Sequence, residues 1–478
     1  MNKAEVEFDP LYALPGDWEW RPLDDLIGKP KQDIVDGPFG SNLKASEYTD
    51  EGVPIARLQN IDRNLFIHKN IKFISDEKAE ELGRHNFKAG DILISKLGDP
   101  LGKTCIVPKS IAAGIIVADL VRVRTGPKEI DSRYLMYALN SPFLARQFEK
   151  HTKGTTRPRV NLGIVRSLPI PVAPTSQQAR IVAEIEKQFS RLDEAVASLK
   201  RTKANLKRYK AAVLKAAVEG KLTEDWRKQH PNIEPASKLL KRILAERREK
   251  WHRNGKYKEP AMPTIGDPTV FPAAPEGWAF ASMEQLLPPM REAMKTGPFG
   301  SLLKKYEHKA EGVAVLGIEN IEAMHFVRGS KIHITQKKAE DLVDYKVMPD
   351  DVLISRSGTV GEVCVVPEDI GEARISTNLM KISLARDGML PKFFVLLFNG
   401  SPFVLNQVSD LCKGSTRNFL NQEILKQLCF VLPSLPEQRE IIAEVERRLS
   451  VIEELEAAVQ ANLTRADRLR QSILSQAF

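Results

Sequence analysis

The sequence predicts an α+β fold in which two similar α/β domains are joined by two long helices that form an antiparallel coiled coil. Three observations predict this fold: a pseudo-twofold internal repeat with an offset of 260 residues, short β-branched runs in each copy, and a seven-residue apolar period after each copy. Two copies in one chain also suggest a target that is itself roughly twofold.

Several short motifs carry the repeat. Gly37-Pro38-Phe39-Gly40-Ser41 returns as Gly297-Pro298-Phe299-Gly300-Ser301, Asp91–Ser95 as Asp351–Ser355, Ser141-Pro142-Phe143 as Ser401-Pro402-Phe403, and Lys153–Arg157 as Lys413–Arg417. The period is far longer than the roughly 20–50 residues of a solenoid unit, so each copy is a whole domain with its appendages. A chain of 478 residues with 42% apolar content has room for two domains or more, each with a real core.

Apolar, β-branched runs separated by Gly and Pro are typical of short strands, and the first domain contains five of them. We predict strands over Val53–Leu58, Ile71–Ile74, Asp91–Ser95, Thr104–Val107 and Ile115–Val123. Ser75 is a capping residue before a short helix over Lys78–Leu82, and further helices follow over Ser132–Asn140 and Phe143–His151. We expect the phenylalanines of the first repeated motif, Phe39 and Phe299, to be core residues.

A long helix follows each domain, because apolar residues recur there every seven residues and neither run is interrupted before Gly220. The predicted coiled-coil seam consists of Ile185, Leu192, Leu199, Leu206, Val213, Val445, Ile452, Val459, Ala466 and Ile473. The chain thus divides into a first domain (1–174), a first long helix (175–222), a charged and Pro-rich connector (223–273), a second domain (274–434) and a second long helix (435–478).

At ~1.5 Å per residue, each long helix is about 60 Å long. The connector begins where the first helix ends and leads directly into the second domain. If the helices were parallel, the connector would have to run back along the whole first helix. Antiparallel packing requires no such return, so we favour it. The alternative is that each helix packs only on its own domain.

Composition points to an anionic partner. Lys and Arg number 71 against 62 Asp and Glu, which gives a net charge of +9 and favours nucleic acid first. The four cysteines show no CxxC spacing, so we expect no zinc site. Cys105 and Cys364 occupy equivalent places in apolar, strand-like runs, which indicates buried thiols in a reducing cytoplasm. The N-terminus lacks the apolar core of a signal peptide and every apolar run is too short to span a bilayer, so we expect a cytoplasmic protein without a membrane partner.

Motifs for catalysis are missing. Residues 98–104 resemble a phosphate-binding P-loop, but only three residues separate the glycines and one is Pro. Asp350 and Glu362 resemble part of a nuclease motif that lacks its lysine. We find no methyltransferase tetrad, no dinucleotide fingerprint and no metal-spaced His pair. We therefore predict no catalytic, cofactor-binding or metal-binding residue in this chain.

Three pairs of polar loops are candidates for DNA contact, because hydroxyls, amides and long cations suit phosphates and Arg suits guanine. In the first domain the candidates are Ser41, Asn42, Lys44, Lys96, Lys103, Lys153, Thr155, Thr156, Arg157 and Arg159. In the second they are Ser301, Lys304, Arg356, Ser357, Lys413, Ser415, Thr416, Arg417 and Asn418. The Lys153 and Lys413 loops are equally consistent with helix C-termini capped by Gly, and both interpretations can hold together.

The order of these parts resembles the specificity (S) subunit of type I restriction-modification systems over nearly the whole chain. The likeness is carried by Gly90–Ser95, by Leu168-Pro169-Ile170-Pro171, by Leu435-Pro436-Glu437-Gln438 at the start of the second long helix, and by Glu219–Arg227 after the first. The chain departs from the pattern in stopping at Phe478, opposite Val218, where family members often carry a further segment like Glu219–Arg227.

The resemblance implies two target-recognition domains that each read one half of a bipartite sequence in double-stranded DNA. It implies that the helices act as a spacer and as the dock for two methyltransferase (modification) subunits, through which restriction (translocase-nuclease) subunits join. S-adenosylmethionine, ATP and Mg²⁺ would belong to those partners. The alternative function is a pseudo-dimeric scaffold that docks proteins without reading DNA, and a DNA enzyme with an unrecognised site is a third possibility. A requirement for two half-sites distinguishes the first function from the other two.

Overall fold

A computed structural model describes residues 8, 11–40, 42–126, 130–152, 158–250, 257–263, 273–288, 293–299, 302–322, 324–356, 360–412 and 420–478. The chain divides into two compact units. Unit 1 contains residues 1–201 and 459–478, and unit 2 contains residues 202–458. Each unit therefore holds one α/β domain with the start of one long helix and the end of the other.

The first repeat consists of short strands and helices followed by one long helix. Its elements are β1 (Glu19–Pro22), α1 (Pro30–Asp33), β2 (Ile34–Asp36), β3 (Val53–Ala56), β4 (Ile61–Asp62), β5 (Leu65–Phe66), β6 (Lys72–Ile74), α2 (Asp76–Glu81), β7 (Asn86–Lys88), β8 (Ile92–Ser95), β9 (Thr104–Ile106), β10 (Ala113–Ile116), β11 (Leu120–Val123), α3 (Ser132–Leu139), α4 (Pro142–Lys150), α5 (Leu162–Ser167), β12 (Pro169–Val172) and α6 (Thr175–Val218). Two four-stranded sheets, ordered β6-β3-β10-β7 and β2-β11-β8-β9, form its centre, and only β3 and β10 pair in parallel within them.

The connector contributes α7 (Glu224–Gln229) and α8 (Ala236–Glu249). The second repeat then contains β13 (Ala279–Ser282), α9 (Met283–Leu286), β14 (Met294–Thr296), β15 (Val313–Leu316), β16 (Ile321–Glu322), β17 (His325–Phe326), β18 (Ile332–Ile334), α10 (Gln336–Asp341), β19 (Val352–Ser355), β20 (Val363–Val365), β21 (Ala373–Ile375), β22 (Leu379–Ile382), α11 (Pro391–Gly400), α12 (Pro402–Cys412), α13 (Gln422–Gln427), β23 (Cys429–Leu432) and α14 (Leu435–Ala477). Its four-stranded sheet β14-β22-β19-β20 repeats the order β2-β11-β8-β9, and its three-stranded sheet β18-β15-β21 repeats β6-β3-β10 without a counterpart of β7 among the described strands. This architecture confirms the predicted α+β fold.

One predicted strand is wrong. The run Ile115–Val123 forms two strands, β10 and β11, which belong to different sheets. Between them the Val117 N–H donates to the Ala56 carbonyl at 3.1 Å and the Leu120 N–H donates to the Val117 carbonyl at 3.0 Å. These bonds turn the chain from one sheet to the next, and a continuous apolar run does not reveal such a turn because both strands are buried.

The centre of each domain is a strand that is covered on both faces. Ile92 and Ile94 of β8 pack in one apolar cluster and Leu93 packs in another, and all three are fully buried. In β19 the side chain of Leu353 likewise lies in a different cluster from Ile354. A strand with two buried faces reads as a continuous apolar run, which is why both strands were predictable from sequence.

Within each unit the two long helices pack side by side in opposite directions. In unit 1 the Arg470 guanidinium lies 5.6 Å from the centre of the Phe189 ring of α6. Gln177, which precedes Phe189 on α6, shares a groove with Phe478, which follows Arg470 at the end of α14. In unit 2 the cluster that contains Val213 and Leu214 of α6 also contains Val445 and Leu449 of α14. The predicted antiparallel packing is confirmed, and packing of each helix on its own domain alone is excluded.

The predicted seam positions are all shielded from solvent to some degree. Six are buried: Ile185, Val213, Val445, Ile452, Val459 and Ala466. Four are half-buried: Leu192, Leu199, Leu206 and Ile473. In the described part of the chain, no helix is long and apolar enough to cross a membrane.

Candidate nucleic-acid interface

Three loops of the first domain carry the candidate DNA contacts that the structure describes. They are the first aromatic loop (residues 37–44), the cation turn (96–98) and the return segment (158–160). The Gly37 N–H donates to the Leu120 carbonyl at 3.1 Å and the Lys96 N–H donates to the Asp119 carbonyl at 2.9 Å. The Val160 N–H donates to the Lys96 carbonyl at 3.0 Å. Backbone hydrogen bonds therefore bring the three loops together around the turn between β10 and β11.

The second domain repeats this network. The Gly297 N–H donates to the Leu379 carbonyl at 3.0 Å, and the Arg356 N–H donates to the Asn378 carbonyl at 2.9 Å. The Leu420 N–H donates to the Arg356 carbonyl at 3.3 Å. The same backbone frame therefore presents two different sets of loop side chains.

Glycine is required where each aromatic loop begins. A Cβ on Gly37 would lie 2.0 Å from the Val117 carbonyl oxygen, and one on Gly297 would lie 1.9 Å from the Ser376 carbonyl oxygen. Any side chain there would push the loop away from the turn that holds it. The glycines of the repeated motif thus fix where the following aromatic residue lies.

The expectation that the motif phenylalanines belong to the core is wrong. Phe39 is 82% exposed and Phe299 is 54% exposed. The Asn42 N–H donates to the Phe39 carbonyl at 2.8 Å and the Leu302 N–H donates to the Phe299 carbonyl at 3.0 Å, so the backbone of each phenylalanine is bonded to the residue three positions further on while its ring lies at the surface. Pro and Gly flank each Phe in the sequence, and both residue types favour turns, which could have indicated this exposure. Exposed aromatic rings beside cations are suited to contact with bases.

Two predicted cations form partly buried ion pairs. The Lys96 Nζ lies 2.8 Å from an Asp36 oxygen, and the Lys103 Nζ lies 3.2 Å from an Asp62 oxygen. The Lys96 side chain is 18% exposed and that of Lys103 is 31% exposed, so a DNA phosphate would have to compete with the paired carboxylate for either ammonium group. The assignment of both lysines as DNA contacts stays a prediction.

Lys44 and Lys304 occupy matching exposed positions at the ends of the two aromatic loops. Their N–H groups donate to the carboxylates of Glu47, at 2.6 Å, and Glu307, at 2.7 Å. The carboxylates fix the backbone and leave both ammonium groups at the surface. Asn42 and Arg159 are also exposed, as DNA contacts must be.

Arg356 does not occupy the surface position that was expected. It is 3% exposed, and its guanidinium donates to the Leu420 carbonyl at 3.3 Å and to the Thr377 carbonyl at 3.1 Å. The guanidinium lies 4.9 Å from the centre of the Phe299 ring, and its burial lowers the pKa of Arg356. In this structure Arg356 is not placed at the surface for contact with DNA, because the Phe299 ring covers it and it is 3% exposed; it supports the aromatic loop instead.

The remaining candidates lie outside the described residues. They are Ser41, Lys153, Thr155, Thr156, Arg157, Ser301, Ser357, Lys413, Ser415, Thr416, Arg417 and Asn418. Their roles stay predictions.

An open cavity of 410 Å³ lies beside the first aromatic loop, and the sequence did not reveal it. Tyr48, Arg57 and Gln59 line it, together with Asp119 from the turn between β10 and β11. These residues are far apart in the chain and belong to no motif, so only the fold brings them together. Their one sequence signal is that each differs from its counterpart in the other repeat.

The rejected nuclease motif is structural. The Asp350 carboxylate pairs with Arg386 at 3.0 Å, and the neighbouring carboxylate of Asp351 accepts from the Met348 N–H at 2.9 Å and from the Ser383 hydroxyl at 2.6 Å. Among the described residues no group of three or more His, Cys, Asp or Glu is placed to hold a metal ion. These carboxylates therefore stabilise a turn before a strand.

All four cysteines are free and buried, which confirms the expectation of buried thiols at Cys105 and Cys364. Burial raises the pKa of the Cys364 thiol to about 12 and also raises that of Cys105, its counterpart in the first domain. At neutral pH both are uncharged core residues.

Known proteins of one family match this chain. The family model described as the type I restriction modification DNA specificity domain matches residues 15–208 and again 300–465. The specificity subunit of the type I restriction enzyme EcoKI from Escherichia coli (strain K12) is 22% identical, over 97% of this chain and 89% of its own length. The corresponding subunit of EcoEI from Escherichia coli is 22% identical, over 97% of this chain and 84% of its own length.

Two solved structures share the fold. The HsdS subunit from Thermoanaerobacter tengcongensis is 18% identical, with a TM-score of 0.53 and 98% of each chain covered. A chain from a study of complex assembly and conformational transition in the type I restriction-modification system is 18% identical, with a TM-score of 0.63, and the match covers 98% of this chain and 99% of that one.

Proposed function

The chain belongs to the family of type I restriction-modification DNA specificity subunits, and from that premise we propose that each of its two domains reads one half of a bipartite target in double-stranded DNA. As such a subunit, it is the non-catalytic component that gives a type I restriction-modification complex its DNA specificity. The division of the target into two half-sites, one for each domain, is the step we add.

The observation that carries this proposal is the repeated loop frame. Gly37 and Gly297 begin equivalent loops that are held by equivalent backbone hydrogen bonds, yet the side chains on the two frames differ. Lys96 pairs with Asp36 in one domain, whereas Arg356 lies under an aromatic ring in the other. A shared frame with different side chains is what two domains need if they bind the same kind of ligand but read different sequences.

We assign the spacing of the half-sites to the long helices. α6 has 44 residues and α14 has 43, so each is about 65 Å long at ~1.5 Å per residue. Each helix begins in one unit and ends in the other, and neither contains a break. Continuous helices of this length are suited to holding two recognition domains at a fixed separation.

The same helices are suited to docking two methyltransferase subunits. Leu455 and Leu469 of α14, two heptads apart, are 48% and 46% exposed, and Val451 is 50% exposed. Tyr209 of α6 is 48% exposed. Exposed apolar side chains along a charged helix support an interaction with protein partners. Restriction subunits would join through the methyltransferase subunits.

S-adenosylmethionine, ATP and Mg²⁺ belong to those partners in this proposal, and the assembled complex works in the cytoplasm. The chain purified alone is then expected neither to methylate nor to cleave DNA, nor to hydrolyse ATP. Methylation, cleavage or ATP hydrolysis by a preparation freed of every partner would contradict the assignment of these activities to the partner subunits.

The decisive experiment measures DNA binding by the chain assembled with its methyltransferase subunits. Methylome mapping of the host, with and without the gene, first identifies the target. Affinities are then compared at one salt concentration for duplexes that carry both half-sites, one, or none. Specific binding exceeds non-specific binding by roughly 10³-fold or more in DNA-binding proteins, and we expect that gain only with both half-sites on one duplex.

A duplex with the two half-sites moved apart is the matched control, because its base composition is unchanged. Equal affinity for all duplexes would contradict the proposal. If the methyltransferase subunits still bound the chain under those conditions, the protein-docking scaffold would be the better description.

A further inference from the structure

The backbone after β3 is fixed by a buried asparagine, and the second domain has the same device after β15. Asn60 and Asn320 are both fully buried. The Arg57 N–H donates to the Asn60 side-chain oxygen at 3.1 Å, and the Gly317 N–H donates to that of Asn320 at 2.8 Å. Residues 57–59 and 317–319 therefore leave the strand along the same path in the two domains.

Each of these segments lies next to its aromatic loop. The Val117 N–H donates to the Ala56 carbonyl at 3.1 Å, and the Val117 carbonyl is the group against which Gly37 packs. In the second domain the Ser376 N–H donates to the Leu316 carbonyl at 2.8 Å, and Gly297 packs against Ser376. One turn thus joins the exposed phenylalanine loop to the segment after the strand.

In the first domain this junction forms the 410 Å³ cavity, and two side chains in its wall are held in place. The Arg57 Nη2 donates to the Asn70 carbonyl at 2.6 Å, and the Gln59 Nε2 donates to the same carbonyl at 3.1 Å. The Arg57 guanidinium also lies 5.8 Å from the centre of the Tyr48 ring. Both side chains are therefore oriented before any ligand arrives, and each keeps hydrogen-bonding groups beyond the one it uses.

The second domain has the opposite charge at this place. Gly317 stands where the first domain has Arg57, and Glu319 stands where it has Gln59. A Cβ on Gly317 would lie 2.2 Å from a carboxylate oxygen of Glu319, so that carboxylate fills the space where a side chain at 317 would begin. Within the described part of the chain, the Glu319 carboxylate has no hydrogen-bond or ion-pair partner. The glycine thus makes room for an unpaired acceptor.

We propose that the cavity beside the first aromatic loop receives the edge of a DNA base and reads it through Arg57 and Gln59, and that Glu319 reads a different base at the equivalent place in the second domain. This proposal rests on the DNA-reading function proposed above and deepens it. It assigns sequence discrimination to residues 57, 59 and 319.

The chemistry of the side chains determines the bases. An arginine donates to guanine O6 and N7, and a glutamine pairs with adenine N6 and N7, so the first cavity favours a purine. A glutamate accepts from the cytosine amino group and repels the acceptors of guanine. The two half-sites are therefore expected to differ in base identity at the position that this part of each domain faces.

The test exchanges the side chains and measures base preference without relying on catalysis. The R57G/Q59E double variant, assembled with methyltransferase subunits, is used to select bound duplexes from a library randomised over both half-sites. We expect discrimination to fall by roughly tenfold or more at one or two adjacent positions of one half-site, with the other half-site unchanged. The second domain already carries Gly and Glu on the same frame, so the double variant should fold. Gln59 is exposed, and Q59E alone repeats the test if the double variant does not.

E319Q is the reciprocal variant and should alter preference only in the other half-site. R84Q is the matched control, because Arg84 is an exposed cation of the same domain outside the cavity, and its loss should leave base preference unchanged. A folded R57G/Q59E complex with wild-type preference at every position would overturn the inference, as would an equal loss of affinity for all sequences. Absence of any preference in the wild-type complex would instead contradict the proposed function itself.

Discussion

Trp278 donates its indole N–H to the Glu437 carboxylate at 2.9 Å, and Trp18 donates in the same way to the Gln177 side-chain oxygen at 3.0 Å. The residues of each pair are 159 positions apart, so one contact between a domain and its long helix occurs twice. In the second domain the acceptor of this contact is a buried charged group, because Glu437 is 3% exposed. Its counter-charge is Arg227, from the segment after the first long helix.

Gly220 allows the segment after the first long helix to pack against the second domain. Gly220 lies two residues after the end of α6 and has φ +68°, a conformation that favours glycine, and a Cβ there would lie 2.6 Å from Pro275 and 2.8 Å from Trp278. Arg227 then donates to the Gly220 carbonyl at 2.8 Å as well as to Glu437. The segment Glu219–Arg227 after the first helix therefore anchors the end of that helix to the second domain within unit 2.

Replacing Arg227 by Met should destabilise unit 2. Removing one partner of a buried ion pair leaves an uncompensated charge and costs about 3–5 kcal/mol. The R227M/E437Q double variant should recover most of that loss, because the first domain already uses Gln at this place. Calorimetric unfolding of the two variants measures the difference, and equal destabilisation of both would show that the charge is not the cause.

Removing a cation from one aromatic loop should affect one half-site only. K44A and K304A form a matched pair: each is expected to weaken the interaction with its own half-site, whatever the bases there, and to reduce the salt slope of binding by about 1. The same one-sided outcome is predicted for Lys153 and Arg157 in the first domain and for Lys413 and Arg417 in the second. Salt titrations with single half-sites altered provide the measurement. If loss of these cations left affinity and salt slope unchanged, the loops would be structural.

Truncation of the exposed phenylalanine should reduce DNA affinity without unfolding the domain. Because the Phe39 side chain is 82% exposed, F39A should change the free energy of unfolding by less than about 1 kcal/mol. F87A, which removes a buried ring of the same domain, should cost about 3–5 kcal/mol. Parallel measurements of stability and of DNA affinity separate the two roles; wild-type affinity of F39A would exclude the ring from the interface.

Lengthening both helices should lengthen the DNA spacer. Four residues inserted after Leu199 and after Val459 add ~6 Å and keep the heptad face with a local stutter. At ~3.4 Å per base pair, the spacer should grow by one or two base pairs while both half-site sequences stay the same. Seven-residue insertions keep the heptad register and should add about three base pairs. Methylome mapping reads the spacer, and an unchanged spacer in an active variant would leave the helices a docking role alone.

The rate of alkylation of the buried cysteines should show whether the apolar cores of the two domains stay closed to solvent. Burial raises the pKa of Cys364 to about 12 and raises that of Cys105, so neither thiol is ionised near pH 8. We expect alkylation of both cysteines to be far slower in the folded protein than in denaturant, with mass spectrometry as the readout. Rapid modification of either cysteine under native conditions would show that its sheet opens readily.

The sequence by itself determined the two-domain α+β organisation, the two long helices and their antiparallel packing. These features follow from local or periodic signals: an offset of 260 residues, a seven-residue period, and apolar runs such as Ile92–Ser95 that are buried on both faces. The connector between the copies was enough to favour the direction of packing. Each of these signals depends on residues that are close together in the sequence or that recur at a fixed spacing, so it can be recognised without the tertiary structure.

The tertiary structure decided how individual residues of the interface are used. Phe39 is at the surface because Gly37 packs against Val117, which is 80 positions further along the chain, and no local pattern records that contact. Arg356 is buried because the Phe299 ring covers it and distant carbonyls accept its hydrogen bonds. Whether a cation or ring in a loop faces solvent depends on long-range hydrogen bonds, which exist only once the sheets have formed.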